Sequence, residues 1–278
     1  MLSPTKSRLV LLGLVICACL LYSCLSPQSQ TPTAARPQPS PAIGGDYVTI
    51  MSWNVRGYPE KSPEVNTWLH DQIMKSGAQI ICIQEIANQK KVDLFCQSSE
   101  FTQSAFLDSP DGQDNAIFAV NSIEMQDLPD PDGFQHPVQV AYLASGGFDA
   151  VIVTVHLSWT DKKKREAEKI ALKKVVENEL KIDPDVMVVG DFNTEGKAIE
   201  DLAKSLGLYV MNNPGASTHA GHRYDYFLVS TDLQSEEAKD CQIVFFATED
   251  EALAKKASDH LPVVAKFKTD QCFRDRAY

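Results

Sequence analysis

"KKASDHLPVVAKF", residues 255 to 267, alternates apolar and other residues from Leu261 to Phe267, the period of a half-buried strand. It opens, however, on Asp259 and His260, and a carboxylate and an imidazole at the mouth of an apolar run are costly to desolvate unless something pairs with them. Taken alone, the stretch fits a polar turn closed by Ser258 and Asp259. The same conjunction recurs along the chain. Asn54 follows "MSW", Glu85 follows "ICIQ", His156 follows "VTV", Asp191 and Asn193 follow "VMVV", and Asp225 sits in "RYDYFLV". Strand ends that gather on one edge of a sheet build a site.

Between these points the chain alternates strand-like and helix-like segments. "YVTIMSWNV", "AQIICIQEI", "NAIFAV", "PVQVAYLA", "FDAVIVTVHLSW", "DVMVVGDFN", "RYDYFLVS" and "HLPVVAKF" read as strands. Gly146 and Gly147 suggest a hairpin between the fourth and fifth. "SPEVNTWLHDQIMKSG" reads as a helix with Val65, Trp68, Leu69 and Ile73 on its apolar side, stopping at Gly77. "TDKKKREAEKIALKKVVENELK" is a second, with Ile170, Leu172, Val175, Val176 and Leu180 inward, and "KAIEDLAKSLG" a short third. Hairpins mixed with crossover helices indicate an α/β chain of the α+β kind, two sheets packed face to face with helices outside. No linker-like break interrupts residues 46–268.

The 278 residues include 44% hydrophobic ones, enough for one large domain, and carry a formal charge of −11. At the start, Lys6 and Arg8 precede an apolar run from Leu9 to Tyr22, the pattern of a secretory signal and short for a membrane span. "LYSC", ending at Cys24, resembles a bacterial lipobox, and "ICAC", ending at Cys19, is a second candidate; an ordinary cleaved signal is the alternative. Residues 25–45, rich in Pro, Ser, Thr and Gln, read as a disordered tether, which leaves 46–278 as the folded domain. The chain is therefore expected outside the cytoplasm, secreted, periplasmic or lipid-anchored to a membrane. Cys82, Cys96, Cys241 and Cys272 permit three disulfide pairings, though Cys82 in "IICIQ" reads as a core thiol. The acidic balance repels bulk nucleic acid, so such a substrate would need a local basic patch or bridging cations. "KKKR" at Lys162 to Arg165 is the one basic cluster that stands out, either a solvated helix face or a contact for a substrate phosphate.

Carboxylates with amide oxygens and no cysteine cluster form a hard, oxygen-rich set suited to Mg²⁺, with Mn²⁺ or Ca²⁺ as substitutes, and unsuited to structural zinc. Two histidines add groups that titrate near neutrality. With no G-x-S-x-G elbow and no glycine-rich phosphate loop, the inventory best serves metal-assisted attack of water on a phosphate ester. "SWNVRG", "ICIQE", "VTVHLSW", "VVGDFNT", "RYDYFLVS" and "SDHLPV", in that order, resemble the signature series of the endonuclease/exonuclease/phosphatase superfamily from Val48 to Phe267.

The resemblance implies a four-layer αββα sandwich with the site on one edge of two packed mixed sheets. It also implies roles. Glu85, helped by Asn54, would bind the divalent cation, with Asp259 nearby; Asp191 would orient and deprotonate the attacking water; Asn193 would hold a phosphate oxygen. His260, held by Asp225, and His156 would stabilise the developing charge or protonate the leaving oxygen. Arg56, Asn115 and Lys162 are further candidate substrate contacts, and Asn115 is also the candidate partner of His156. Arg56 stands where exonuclease III relatives carry an acid, and His156 with Leu157 where they carry a tyrosine-centred motif. "GFQHPVQV" offers Gln135 and His136 where deoxyribonuclease I has an arginine. The expected activity is a metal-dependent phosphodiesterase, first a nuclease, with a sphingomyelinase-like phospholipid phosphodiesterase or a phosphatase on a soluble ester as alternatives. A catalytically dead binding module of the same fold would have lost a motif residue, and none is lost. No protein partner is inferable.

Overall fold

Strand β1 (Tyr47–Tyr58) buries every residue from Val48 to Val55. Such burial requires cover on both faces and both edges. The computed structural model supplies it and describes residues 47–269, apart from 59–61, 110–111, 121–122, 129–130, 146, 212–214, 234–241 and 244–249. The expected signal, Cys19, Cys24, the tether, Gly146, Cys241 and Cys272 lie outside the described residues. Beside β1 run β2 (Ile80–Ile86), parallel, and β12 (Val263–Lys268), antiparallel; the sheet is completed in the order β11-β12-β1-β2-β4-β3 by β3 (Phe101–Phe106), β4 (Asp114–Val120) and β11 (Gln242–Ile243).

The second sheet has the order β5-β6-β7-β8-β10-β9. Its strands are β5 (Glu124–Asp127), β6 (Gln139–Ser145), β7 (Phe148–His156), β8 (Val186–Asp191), β9 (Tyr209–Val210) and β10 (Asp225–Val229). β6 and β7 form the expected hairpin, closing at the pair Ser145 and Phe148. The two parallel pairs, β1 with β2 and β7 with β8, are bridged by helices α1 (Pro63–Lys75) and α3 (Lys162–Glu179), as parallel crossovers demand. The remaining helices are α2 (Gln89–Ser98), α4 (Lys197–Leu206) and α5 (Glu251–Ala257).

Side-chain parity sorts each strand between two cores. Ile50, Ile152, Met187, Val189, Phe227 and Val229 meet in the core shared by the two sheets, while α1 covers the other face of the first sheet with Val65, Trp68, Leu69 and Ile73, Trp68 lying edge-on to Trp53. Val151, Val153, Val155 and Val188 point the other way, onto Leu172, Val175 and Val176 of α3 and Ile199 and Leu202 of α4. Helix, sheet, sheet and helix thus make four layers, as expected. Cys82 is a buried free thiol within the shared core.

Two expectations are corrected. Ile170 was placed on the apolar side of α3 and is 65% exposed, whereas Glu168 is 1% exposed. That burial is stabilised because the Glu168 oxygens accept the backbone N–H of Gln135 at 3.0 Å and of Ser158 at 2.8 Å. The last strand begins at Val263 rather than Leu261: Pro262 has no N–H to donate, and the Leu261 N–H goes to the Ser217 carbonyl at 2.7 Å.

Candidate active site

Four of the six polar strand ends belong to the inward-facing register. Asn54 continues Ile50 and Ser52, His156 continues Ile152 and Thr154, Asp191 continues Met187 and Val189, and Asp225 is followed by Phe227 and Val229. Register then brings them level, His156 pairing with Asp191 across β7 and β8, and Asp191 with Asp225 across β8 and β10. Beneath them Gln84 Nε2 donates to Ser52 Oγ at 3.4 Å and Thr154 Oγ1 at 3.1 Å, tying the two sheets together.

Glu85 breaks the pattern. Parity would send it toward the helices with Ile81 and Ile83, but its φ is +61° and the β2–β4 register shifts between Gln84 and Ile86. The bulge turns its carboxylate back toward Asn54, whose Nδ2 donates to Glu85 Oε1 at 3.0 Å. Arg56 (φ +49°) and Asn193 (φ +46°) are the other non-glycine residues in the left-handed region among the described ones. All three lie at this edge, where such strain is held in place by the surrounding fold. Gly190 supplies a fourth special position. A Cβ there would stand 2.1 Å from the Val155 carbonyl oxygen, so only glycine lets β7 and β8 close beside Asp191.

Asp191 Oδ2 is the centre of the constellation. Asn54 Nδ2 lies 3.2 Å from it, His260 Nε2 3.6 Å and His156 Nε2 3.8 Å, while Oδ1 accepts the Asn193 N–H at 2.9 Å. His260 Nδ1 meets Asp225 Oδ2 at 2.8 Å. The ring is further fixed through its backbone: Trp53 Nε1 donates to the His260 carbonyl, and Ser258 Oγ accepts the His260 N–H while donating to the Asn54 carbonyl. Asp259 and His260 therefore precede the last strand because one forms the rim of this edge and the other its wall. Asp259 stays exposed and lies 3.8 Å from Arg56 across the mouth.

Burial and charge push the titrating groups apart. Asp191 is raised to about 7, chiefly by burial and then by the Asp225 charge, against the opposing pull of His260. Burial disfavours a charged His260, but the carboxylates of Asp225, Asp191 and Asp259 outweigh it and raise the ring to about 10. His156 is lowered well below 6.5 by burial and by its two histidine neighbours, His136 and His260. The edge thus holds an imidazolium, a neutral imidazole and a carboxylate that is a better base than usual.

A divalent cation fits the donor set. Glu85, Asp191, Asp225 and Asp259 present four carboxylates, and among the described residues Arg56 and His260 are the cations paired with them. The surplus charge and the oxygen donors match a hard cation. Asp191, Asp225 and His260 also come close enough to hold a metal. In that trio, however, the His260 Nδ1 is engaged by Asp225 and the ring is protonated, the reverse of what ligation needs, so the Glu85 side of the edge is the better fit.

Three sequence expectations change. Asn115 is 1% exposed and donates to the Pro137 carbonyl at 2.7 Å, so it is a buried structural amide rather than a substrate contact. The ring beside His156 is instead His136, stacked at 4.5 Å with an interplanar angle of 12°. "GFQHP" carried this residue, but nothing local distinguishes a stacked histidine from a loop one. Lys162 is exposed, and no hydrogen bond or ion pair joins it to the site among the described residues. The first backbone N–H groups of its helix are taken by Asp161, which accepts from Lys163 N at 2.8 Å and Lys164 N at 3.1 Å. They are not free for a phosphate. Ser217 and Glu168 are framework residues that sequence reading missed, and Ser258, read as closing a turn, also ties the His260 N–H to the Asn54 carbonyl.

Residues 51–260 match the model of the Endonuclease/Exonuclease/phosphatase family. No curated protein matches the sequence. Among solved structures, the human Nocturnin catalytic domain is similar over 80% of this chain and 94% of its own, at 19% identity and a TM-score of 0.60. D. rerio TDP2 in complex with a single-strand DNA product is similar over 81% and 100%, at 15% identity and a TM-score of 0.63. A Bacteroides thetaiotaomicron mannosyl-6-phosphatase is similar over 79% and 99%, at 13% identity and a TM-score of 0.61. At these identities the likeness is one of fold.

Proposed function

Because the chain belongs to the endonuclease/exonuclease/phosphatase family of divalent-metal-dependent phosphoester hydrolases, we propose that it is a Mg²⁺-dependent phosphodiesterase that cuts nucleic acid outside the cytoplasm. The observation that carries the chemistry is the line Asp225–His260–Asp191, with His260 Nδ1 at 2.8 Å from Asp225 and its Nε2 at 3.6 Å from Asp191. Asp191 takes the proton of the attacking water, and its raised basicity suits that task near neutral pH. His260, kept as imidazolium by Asp225, donates from Nε2 to the charge that develops on the phosphoryl group. His156, neutral and buried against His136, offers an uncharged donor on the other flank. Asn193, whose amide already donates to the Leu157 carbonyl at 2.9 Å, has its second N–H for a phosphate oxygen.

Glu85 with Asn54, and Asp259 at the rim, would hold the cation, which when bound supplies Lewis-acid charge to a phosphoryl oxygen. Arg56 at the same rim can meet a substrate phosphate. Nucleic acid is favoured by the exposed Lys162, Lys163 and Lys164 in an otherwise acidic chain. The signal-like start and the Pro- and Gln-rich tether support export with a lipid anchor at Cys24 or Cys19.

A second reading rests on the formal charge of −11, which opposes the approach of a polyanion. It makes the substrate a phospholipid headgroup or a small soluble phosphate ester. Hydrolysis of plasmid DNA, single-stranded RNA, sphingomyelin and an inositol polyphosphate, in Mg²⁺ and in chelator, separates the two. Chelator-sensitive cleavage of nucleic acid that Glu85→Ala abolishes is the expected result. Release of phosphocholine or phosphate with intact nucleic acid overturns the substrate and keeps the chemistry.

A further inference from the structure

The segment that follows His156 is held with unusual completeness for a loop. The Leu157 N–H goes to the Asp191 carbonyl at 2.9 Å, and the Leu157 carbonyl accepts from Asn193 Nδ2 at 2.9 Å. The Ser158 N–H goes to Glu168 at 2.8 Å, and Arg165 Nη1 donates to the carbonyls of Ser158 at 2.7 Å and Trp159 at 3.2 Å. One of these anchors, Glu168, is a buried carboxylate, and burying a charge costs several kcal/mol before its hydrogen bonds are counted. What this framework presents to solvent is an indole. Trp159 is 66% exposed, whereas Trp53 and Trp68 are buried.

Its position follows from the strand register. β7, β8 and β10 lie side by side, so the loop after β7 borders the loop that carries Asn193. Trp159 is two residues beyond Leu157, whose carbonyl holds the Asn193 amide, and two residues reach at most about 7 Å. Lys162, Lys163 and Lys164, all exposed, follow within one helical turn. An exposed aromatic ring carried on a tightly held backbone next to a phosphate site, with ammonium groups beyond it, matches a planar ring joined to further phosphates.

Resting on the nuclease reading above, we propose that Trp159 is a stacking platform for a nucleobase that flanks the scissile phosphate. Stacking engages the face that every base has, so it confers preference for nucleic acid over other phosphodiesters without sequence preference. A membrane contact is the weaker reading of the same indole. Its neighbours Ser158, Thr160 and Asp161 are polar, and interfacial segments bury several apolar side chains together.

The test uses the full chain in Mg²⁺ with two fluorescein-labelled hexamers linked by phosphorothioates that resist cleavage, one of thymidine and one abasic. Binding is read by anisotropy, and contact with Trp159 by loss of acrylamide quenching of its emission, the other two tryptophans being buried. The thymidine hexamer is expected to bind about 5- to 150-fold more tightly than the abasic one and to shield Trp159. Trp159→Ala should bring it to the abasic level without changing abasic binding, and Trp159→Phe should restore most of the difference. Equal binding of both hexamers to the native chain overturns the platform and leaves the nuclease reading standing. Binding of neither hexamer removes that reading and the platform with it. Loss of sedimentation with phosphatidylglycerol vesicles in Trp159→Ala, with hexamer binding unchanged, reassigns the indole to lipid and overturns the proposal.

Discussion

Replacing Asp225 by Asn removes the charge that keeps His260 protonated and leaves the shape of the site in place. In the native fold His260 holds its proton up to about 10 against an ordinary 6.5, a preference worth about 5 kcal/mol at most. Burial pulls the other way, and Asp225, at 2.8 Å, is the first of the carboxylates that overcome it. Without it, Asp191 at 3.6 Å and the exposed Asp259 remain, so the ring is expected to lose its proton near or below neutral pH. An amide also presents a donor as readily as an acceptor, which frees the imidazole to take the wrong tautomer. Turnover of bis(p-nitrophenyl) phosphate at pH 7.5 should therefore fall by about two to four orders of magnitude, with KM changed far less. The His260 resonances should titrate several pH units lower in an NMR series. A folded Asp225→Asn protein that keeps turnover within tenfold of the native value, with His260 still protonated at pH 9, would refute the reasoning.

Further consequences follow from the same geometry. Truncating His136 to Ala removes the ring stacked on His156 and should lower kcat by about tenfold or more with little change in KM, measured on the same ester. Gly190→Ala drives a methyl group against the Val155 carbonyl and forces a backbone with φ of 139° onto an L-residue, so the melting temperature should drop by an amount equal to about 2–4 kcal/mol. Asp191 is harder to ionise folded than unfolded. Its ionisation therefore subtracts from stability as pH rises from about 3.8 and is fully felt above about 7, at most about 4 kcal/mol. His260, also raised, acts in the same direction with pH, stabilising fully below 6.5 and losing that contribution as pH passes about 10. In chelator the melting temperature should accordingly fall between pH 5 and pH 8, and Mg²⁺ should raise it more at pH 8 than at pH 5; an equal Mg²⁺ effect at both would count against a cation beside Asp191.

The four layers and most of the constellation were legible because one physical rule generates both. Apolar strands that end in polar groups mark the edge of a sheet, and Asn54, His156, Asp191 and Asp225 were legible there from their strand-end positions and from the motif series. Glu85 was read from its motif, but its aim depends on a bulge that no local residue signals, since a glutamate at φ +61° looks like any other. α2 and β3 went unread because "NQKKVDLFCQSSEFTQSAF" offers only short and half-polar periodicity. The inversion of Ile170 and Glu168 has a tertiary cause. Glu168 is hydrogen-bonded by N–H groups 33 and 10 residues away, and a pattern within one helix cannot contain that information. Asn115 failed for the same reason, claimed by the Pro137 carbonyl, and the backbone N–H groups after Lys162 are closed by Asp161.

Asp191 is where the account stands or falls, and the decisive measurement is turnover and thermal stability of Asp191→Asn on one purified sample at pH 8 in Mg²⁺ and in chelator. In Mg²⁺, kcat is expected to fall by about three orders of magnitude or more. In chelator, the variant should melt at or above the native temperature, because a buried, strained carboxylate charge has been removed. Turnover within tenfold of native in a folded variant, or loss of turnover that tracks loss of the fold, would contradict the assignment of Asp191 as the base at the centre of the site.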